Sequence, residues 1–312
     1  MGFGLPKLFP QGLRCQRMAR NPFFALMRAE VNDNMKKKIG FEYHKRSAGE
    51  EVPFEIFLKY SDEKEKSSEV LGRILSRLLT REKMTLLDIG SGTGEYLRLA
   101  LSKARIPQRL SVTLLEPSTD LATRLCSARK LFPSNVFVNI VSDTFEDFTT
   151  GVLFDIILAS HVPLAKDNVA KLPEIYRRMF KLLKPDGYLV IVLRGKDGVH
   201  QFRTRFKTKI IGRDYYSLTI DDAEAILRKI AEQLPLQIQK FNVKAKLHLP
   251  YPDDMRDVIS VVEFLLNTNW KDIPVVIRDS ILTYIRRRNG LFRQIDGFLV
   301  VRKIHCHEKL NP

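Results

Sequence analysis

The chain has 312 residues, 44% of them hydrophobic and 28% charged, which is enough for one α/β domain of about 250 residues with additions. Its 16 Gly and 15 Pro lie near average usage, which excludes collagen and low-complexity disorder. Lys and Arg outnumber Asp and Glu by 52 to 36, a net charge of +16 that favours anionic surroundings without naming a partner.

Residues 1–38 carry eight basic residues against Glu30 and Asp33, with no helical or strand period. They read as a disordered extension, with a transit-like targeting segment as the alternative. Residues 39–83 are expected to form an N-terminal helical lid, since Phe54, Phe57 and Leu58, then Val70, Leu71, Ile74, Leu75 and Leu78, keep the spacing of buried helix faces. A core over 84–245 follows. MTLLDI at 84–89 reads as a buried strand and EYLRLALSKA at 95–104 as the helix after it, closed by Pro107. LSVTLL at 110–115, a helix from Thr119 to Leu131, VFVNIV at 136–141, LFDIILA at 153–159, a helix from Val169 to Leu183 and GYLVIVL at 187–193 continue the alternation. Alternating apolar strands and helices predict a doubly wound, mostly parallel sheet whose ligands bind at the strands' carboxyl ends.

After the fifth strand the order changes. A basic stretch spans 194–213, Thr219 with Asp222 opens a helix, and LQIQKFNVKA at 236–245 alternates as a strand. Helical patterns at 253–267 and 274–288 make 246–293 a helical, substrate-side insertion, before the last strand at 294–304 and a tail at 305–312. The fold class expected is therefore Rossmann-like α/β with seven strands, the last one antiparallel beside the fifth. No apolar run reaches the ~20 residues of a membrane helix, so no membrane partner is expected. Cys15, Cys126 and Cys306 lack a paired or CxxC spacing, which points to a reducing compartment, the cytoplasm, with a mitochondrial address as the alternative. A monomer is expected.

LLDIGSGTGEYL at 86–97 puts Gly90, Gly92 and Gly94 between a buried strand and a helix, where a backbone can approach a ligand closely. A dinucleotide fingerprint would place its third glycine at Glu95, whose charge opposes a pyrophosphate, and no GK[ST] follows for a nucleoside triphosphate. Glu116, ending the next strand, is placed to accept hydrogen bonds from two ribose hydroxyls. A phosphate-free, cationic adenosine compound fits: S-adenosylmethionine.

DIGSGTG, LLEP, VSDTFED, FDIILASHV and LLKPDGYLVIV stand in the order of class I S-adenosylmethionine-dependent methyltransferases, which residues 80–195 resemble. That resemblance implies that Asp88, Gly90, Gly92 and Gly94 line the methionine part, that Glu116 holds the ribose, and that Asp143 faces the adenine amino group with Phe145 nearby. The flanking chain is similar to a narrower family, histamine N-methyltransferase, through FEIFLKYSDE at 54–63, LLEPSTD, YSLTIDDAEAIL at 216–227 and VISVVEFLLNTNW at 258–270. By this likeness Glu63 matches the family's substrate-binding Glu, while its Gln falls at His161 and its Asn at Gln294. The two departures count against histamine itself and leave a small basic or imidazole-like acceptor.

In such chemistry Glu63 anchors a substrate cation, Gln294 binds substrate, and His161 or a water accepts a proton. No metal is required, and the tail His305, Cys306 and His307 shows no ligand spacing. The segment at 194–213, with seven basic residues and two Phe, is the best support for an alternative RNA substrate. A non-catalytic S-adenosylmethionine-binding protein is the third reading.

Overall fold

The computed structural model describes residues 53–162, 164, 169–213 and 215–304. The expected extension at 1–38, the first part of the lid and the tail at 305–312 lie outside the described residues. In chain order come α1 (Pro53–Lys59), α2 (Glu63–Leu78), β1 (Lys83–Ile89), α3 (Glu95–Ser102), β2 (Arg109–Leu115), α4 (Thr119–Ala128), β3 (Val136–Val141) and β4 (Phe154–Ser160). Then follow α5 (Leu172–Leu182), β5 (Leu183–Arg194), α6 (Gly198–Ile211), α7 (Ile220–Ala231), β6 (Leu236–His248), α8 (Met255–Leu266), α9 (Val275–Arg286) and β7 (Leu291–Lys303).

The seven strands form one sheet in the order β3-β2-β1-β4-β5-β7-β6. β7 runs antiparallel to both β5 and β6, and the remaining pairs are parallel, as the alternation of apolar strands and helices predicts. Because the first three strands run outward from β1 and the next begins on its other side, the turn after β1 sits at the topological switch point.

Successive strand residues face opposite sides, so the sheet is buried twice over. Leu87, Ile89, Ile157, Leu189, Ile191 and Leu299 pack beneath α5 and α7. Leu86, Leu114, Ile156, Val190 and Val192 pack beneath α2, α3 and α4. α1, α6, α8 and α9 build a third, helical core at the carboxyl ends of the strands around Phe57, Phe202, Phe206, Val261 and Phe292. Its aromatic rings pack closely, Phe202 lying 4.9 Å from Phe206 and 5.6 Å from Phe292 between centroids.

Several boundaries differ from the sequence reading. β5 starts at Leu183, which pairs with Phe154; the register then shifts so that Ile156 faces Tyr188, and residues 184–187 bulge out of the ladder between them. β7 starts at Leu291, so Gln294 lies inside the strand, opposite Ala245, and not at its first position. The basic stretch at 194–213 folds mainly as α6, whose Val199, Phe202 and Phe206 are buried. Three of its cations are spent inside the fold: Arg194 on Glu63, Arg203 on Tyr215 and Lys207 on the carbonyls of Leu266 and Asn267. Among the described residues no helix is long and apolar enough to cross a membrane.

Candidate active site

The turn after β1 is tied to the end of β2, since the backbone N–H groups of Gly90 and Ser91 both donate to the Leu115 carbonyl, at 2.8 and 3.1 Å. Gly92 and Gly94 have φ of 57° and 72°, left-handed values that other residues adopt at a cost. Their surroundings differ. A Cβ on Gly94 would lie 2.5 Å from Leu125 Cδ1, so that glycine lets α4 pack, whereas a Cβ on Gly92 would meet nothing within 4 Å. Gly92 therefore borders open space at the switch point.

Glu116, 6% exposed, accepts the N–H of Gly92 at 2.8 Å and of Ser118 at 2.9 Å, one on each oxygen. Each oxygen retains a lone pair, as two ribose hydroxyls would need. Asp88 is buried, and burial pushes its carboxyl up to about 7, with the Glu116 charge adding to the effect. A buried carboxylate in that state gains by receiving a cation. Asp143, half-buried after β3, accepts the Thr144 N–H at 2.9 Å. Phe145 is placed differently: it packs in the core with Phe148, and the Arg178 guanidinium lies 5.1 Å over its ring.

A second group of side chains meets at the ends of β4 and β5 and the start of β7. Residues 60–62 are clipped to the end of β6, where Asp62 N–H donates to the Lys246 carbonyl and His248 N–H to the Tyr60 carbonyl. That clip sets Glu63, the first residue of α2, above the strand ends, 7% exposed. Arg194 Nη2 donates to both Glu63 oxygens at 3.0 Å, and Gln294 Nε2 donates to Oε2. Gln294, 1% exposed, accepts in turn from Ser61 Oγ at 2.7 Å.

His161 directly follows β4, held at φ 52° by an N–H bond to the Val192 carbonyl at 2.8 Å. Its side chain keeps 37% exposure, and its Nε2 lies 3.4 Å from Asp296 Oδ2 and 3.6 Å from Glu63 Oε1. The neighbouring Val162 packs against Gly90, which sets this group directly beside the glycine turn. On α3, Tyr96 OH lies 2.8 Å from Ser67 Oγ, one helical turn along α2 from Glu63.

The electrostatics of this group are interdependent. Burial raises Glu63 to about 7, although Arg194 draws it down. Burial would lower His161, but Asp296 and Glu63 outweigh it and hold the imidazole above its ordinary value. Burial would likewise raise Asp296, and His161 with Arg194 hold it below the usual carboxylate range. Ligand-type atoms of Glu63, His161 and Asp296 lie within 4.8 Å of one another. Arg194 Nη2 lies against both Glu63 oxygens, so a guanidinium supplies positive charge beside them.

Of the sequence-derived candidates, the structure gathers Asp88, Gly90, Gly92, Gly94 and Glu116 into one cradle, and Glu63, His161 and Gln294 into one cluster beside it. Arg194 and Asp296 were not singled out from sequence. Their signal was a charged residue at the same cross-strand level of two otherwise apolar strands, since Arg194 pairs with Asp296 in the β5–β7 ladder.

The open space at Gly92, the buried and proton-retaining Asp88, and the partly satisfied Glu116 fit a cationic adenosine compound. A family model described as methyltransferase domain matches residues 63–235, more than half of the chain. No curated protein matches the chain in sequence. Among solved structures, the chain is similar to the YcgJ protein from Bacillus subtilis at 20% identity and TM-score 0.47, over 75% of this chain and 98% of that one. It is similar to a putative sarcosine dimethylglycine methyltransferase from Galdieria sulphuraria at 18% identity and TM-score 0.45, over 76% and 84%. A third similar structure is the N-methyltransferase NodS from Bradyrhizobium japonicum WM9 in complex with S-adenosyl-L-homocysteine, with 15% identity and TM-score 0.42 over 77% and 87%. On the family match over more than half its length, the chain belongs to the methyltransferase-domain family and is a class I S-adenosylmethionine-dependent methyltransferase.

Proposed function

We propose that this enzyme methylates a nitrogen of a small amine or imidazole-like molecule, as its similarity to histamine N-methyltransferases suggests. The observation that carries the reading is His161, partly exposed beside the glycine turn, with Glu63 and Asp296 within 3.6 Å of its Nε2. S-adenosylmethionine, when bound, supplies an electrophilic methyl group on a sulfonium. Asp88 and the glycine turn would hold its methionine part, Glu116 its ribose and Asp143 its adenine.

Methyl transfer of this kind is an in-line displacement, so the chain contributes chiefly by alignment and by managing one proton. An acceptor amine near pKa 10 must lose its proton before it can attack, and an imidazole must lose one afterwards. In this reading His161 takes it. Above pH 7, where Glu63 is ionised, two carboxylates and one guanidinium leave the cluster with one net negative charge when His161 is neutral. A cationic acceptor therefore replaces the His161 proton electrostatically. Glu63, held by Arg194 and Gln294, contributes its charge to this exchange from behind the imidazole, and Gln294 keeps it in place. The same reading has the enzyme act as a cytoplasmic monomer on a diffusible acceptor.

The test is transfer from labelled S-adenosylmethionine to a panel of biogenic amines, imidazoles and total RNA. Turnover on an amine or imidazole supports the proposal. Label in RNA alone, suppressed steeply by salt, would replace it with the nucleic-acid reading. Cofactor binding with no transfer to any acceptor would replace it with a non-catalytic one.

A further inference from the structure

We propose that Asp296 is the positioning residue that fixes His161 in the tautomer protonated on Nε2, leaving Nδ1 as the atom that takes the acceptor's proton. This rests on the reading of the site as one that methylates a nitrogen acceptor. Both carboxylates near the imidazole approach the same ring atom, Nε2, Asp296 Oδ2 at 3.4 Å and Glu63 Oε1 at 3.6 Å. A neutral imidazole has one N–H and one lone pair, and a carboxylate accepts only, so the proton belongs on Nε2. The lone pair is then on Nδ1. Hydrogen bonds of this kind are often long before substrate arrives and shorten in the complex.

Asp296 is the better candidate of the two because of what else each carboxylate does. Glu63 is already satisfied, with Arg194 Nη2 on both oxygens and Gln294 Nε2 on one. Asp296 is 1% exposed, and its Oδ1 finds no hydrogen-bond partner among the described residues. Its charge is supported first by His161, then by the Arg194 guanidinium beside it and the Ser67 hydroxyl. Both members of the pair are fixed through their backbones. Asp296 stands opposite Arg194 in the β5–β7 ladder, and Asp197 accepts the N–H of the preceding Ile295. His161 is held at the end of β4 by its bond to Val192. The charged and titratable groups facing the imidazole are Glu63 from α2, Arg194 from β5 and Asp296 from β7, with Tyr96 of α3 facing the two carboxylates.

The proton balance follows. As the acceptor nitrogen forms its bond to the methyl carbon, the carbon–sulfur electron pair stays on sulfur, which leaves as a neutral thioether. The proton released by the acceptor passes to Nδ1. His161 becomes an imidazolium, held between Asp296 and Glu63 until it returns the proton to solvent.

The experiment is ¹⁵N NMR of the full chain labelled in histidine, read between pH 5 and 9 without any acceptor, with the His161 signals assigned from their loss in His161→Gln. The wild-type protein should show a neutral Nε2–H tautomer and a His161 pKa above the ordinary ~6.5. Asp296→Asn should lower that pKa by about one unit or more and mix the tautomers, because the amide both donates and accepts. Glu63→Gln should leave the tautomer unchanged. A wild-type Nδ1–H tautomer overturns the proposal, and this holds even if Asp296→Asn does not fold. So does an Asp296→Asn spectrum equal to wild type, or a Glu63→Gln spectrum that shows the whole effect. With an acceptor in hand, the acidic limb of the kcat/KM profile should move with the NMR pKa in Asp296→Asn and recover in part in Asp296→Glu. Should no acceptor be methylated, the function reading fails while the spectra still decide the role of Asp296.

Discussion

Asp88 shows how one buried carboxyl ties stability to binding. Its carboxyl, ordinarily near 3.8, is raised to about 7, so its favourable contribution is complete below pH 4 and is lost as pH rises through 7. Above pH 7 the cofactor-free protein holds a charge its surroundings do not favour. Asp88→Asn should therefore raise the melting temperature of the free protein at pH 8 while weakening S-adenosylmethionine binding. In the parent protein affinity should fall as pH drops below 7, because the cation wants the ionised carboxyl. Calorimetry at pH 6 and 8 checks both, and equal affinities would remove Asp88 from the cofactor site. Glu116→Ala should cost more affinity than Asp143→Ala. It removes the acceptors proposed for two ribose hydroxyls, about 1.5–3 kcal/mol each at most, and also frees the N–H of Gly92. The same calorimetry ranks the two variants.

Among the elements, the turn between β1 and α3 separates two uses of glycine that sequence alone treats as one motif. Gly94→Ala places a methyl against Leu125 of α4 in a left-handed backbone, which predicts a stability loss of about 1–3 kcal/mol. Gly92→Ala also bears the left-handed cost, about 1 kcal/mol, but touches no protein atom within 4 Å. Its larger effect should be on cofactor affinity. Urea denaturation and calorimetry on the pair should give opposite rankings, Gly94→Ala the less stable and Gly92→Ala the weaker binder. α2 is the element that joins the two halves of the site. Glu63 in its first turn meets Arg194, Ser67 one turn later meets Tyr96 of α3, and Lys64 pairs with Glu95 beside the glycine turn.

For the molecule as a whole, β7 is the strand on which all three cores depend. Its Leu299 and Val301 lie in one sheet core, Phe298 and Val300 in the other, and Phe292 in the helical core with Phe202 and Tyr284. The helical cap and the sheet should therefore unfold together. Trp270, the chain's one tryptophan, packs against the cap core and reports on it, while far-ultraviolet dichroism reports on the whole. Coincident urea transitions by the two probes are expected, and an earlier tryptophan transition would show the cap to be separable. Phe202→Ala, which empties a fully buried site shared by α6, α9 and β7, should lower stability by about 3–5 kcal/mol and shift both probes equally.

The period of apolar residues decides local structure through nearest-neighbour geometry, which is why the strands, their helices and the closing antiparallel strand were legible from order and spacing. The glycine turn of the candidate site was legible for the same reason. DIGSGTG is contiguous, and Glu116 follows the next strand at a distance set by one βα unit. Glu63, His161 and Gln294 could be named through likeness to a family, but their partners could not. Arg194 and Asp296 lie 102 positions apart and face each other only because β7 inserts beside β5. Tertiary structure also decided that Phe145 packs in the core beneath Arg178, and that three cations of the basic 194–213 stretch are bound within the protein. Charge along a chain says which groups exist. Only the pairing of distant strands says which of them share a buried space, and the protonation of His161 is set by that shared space.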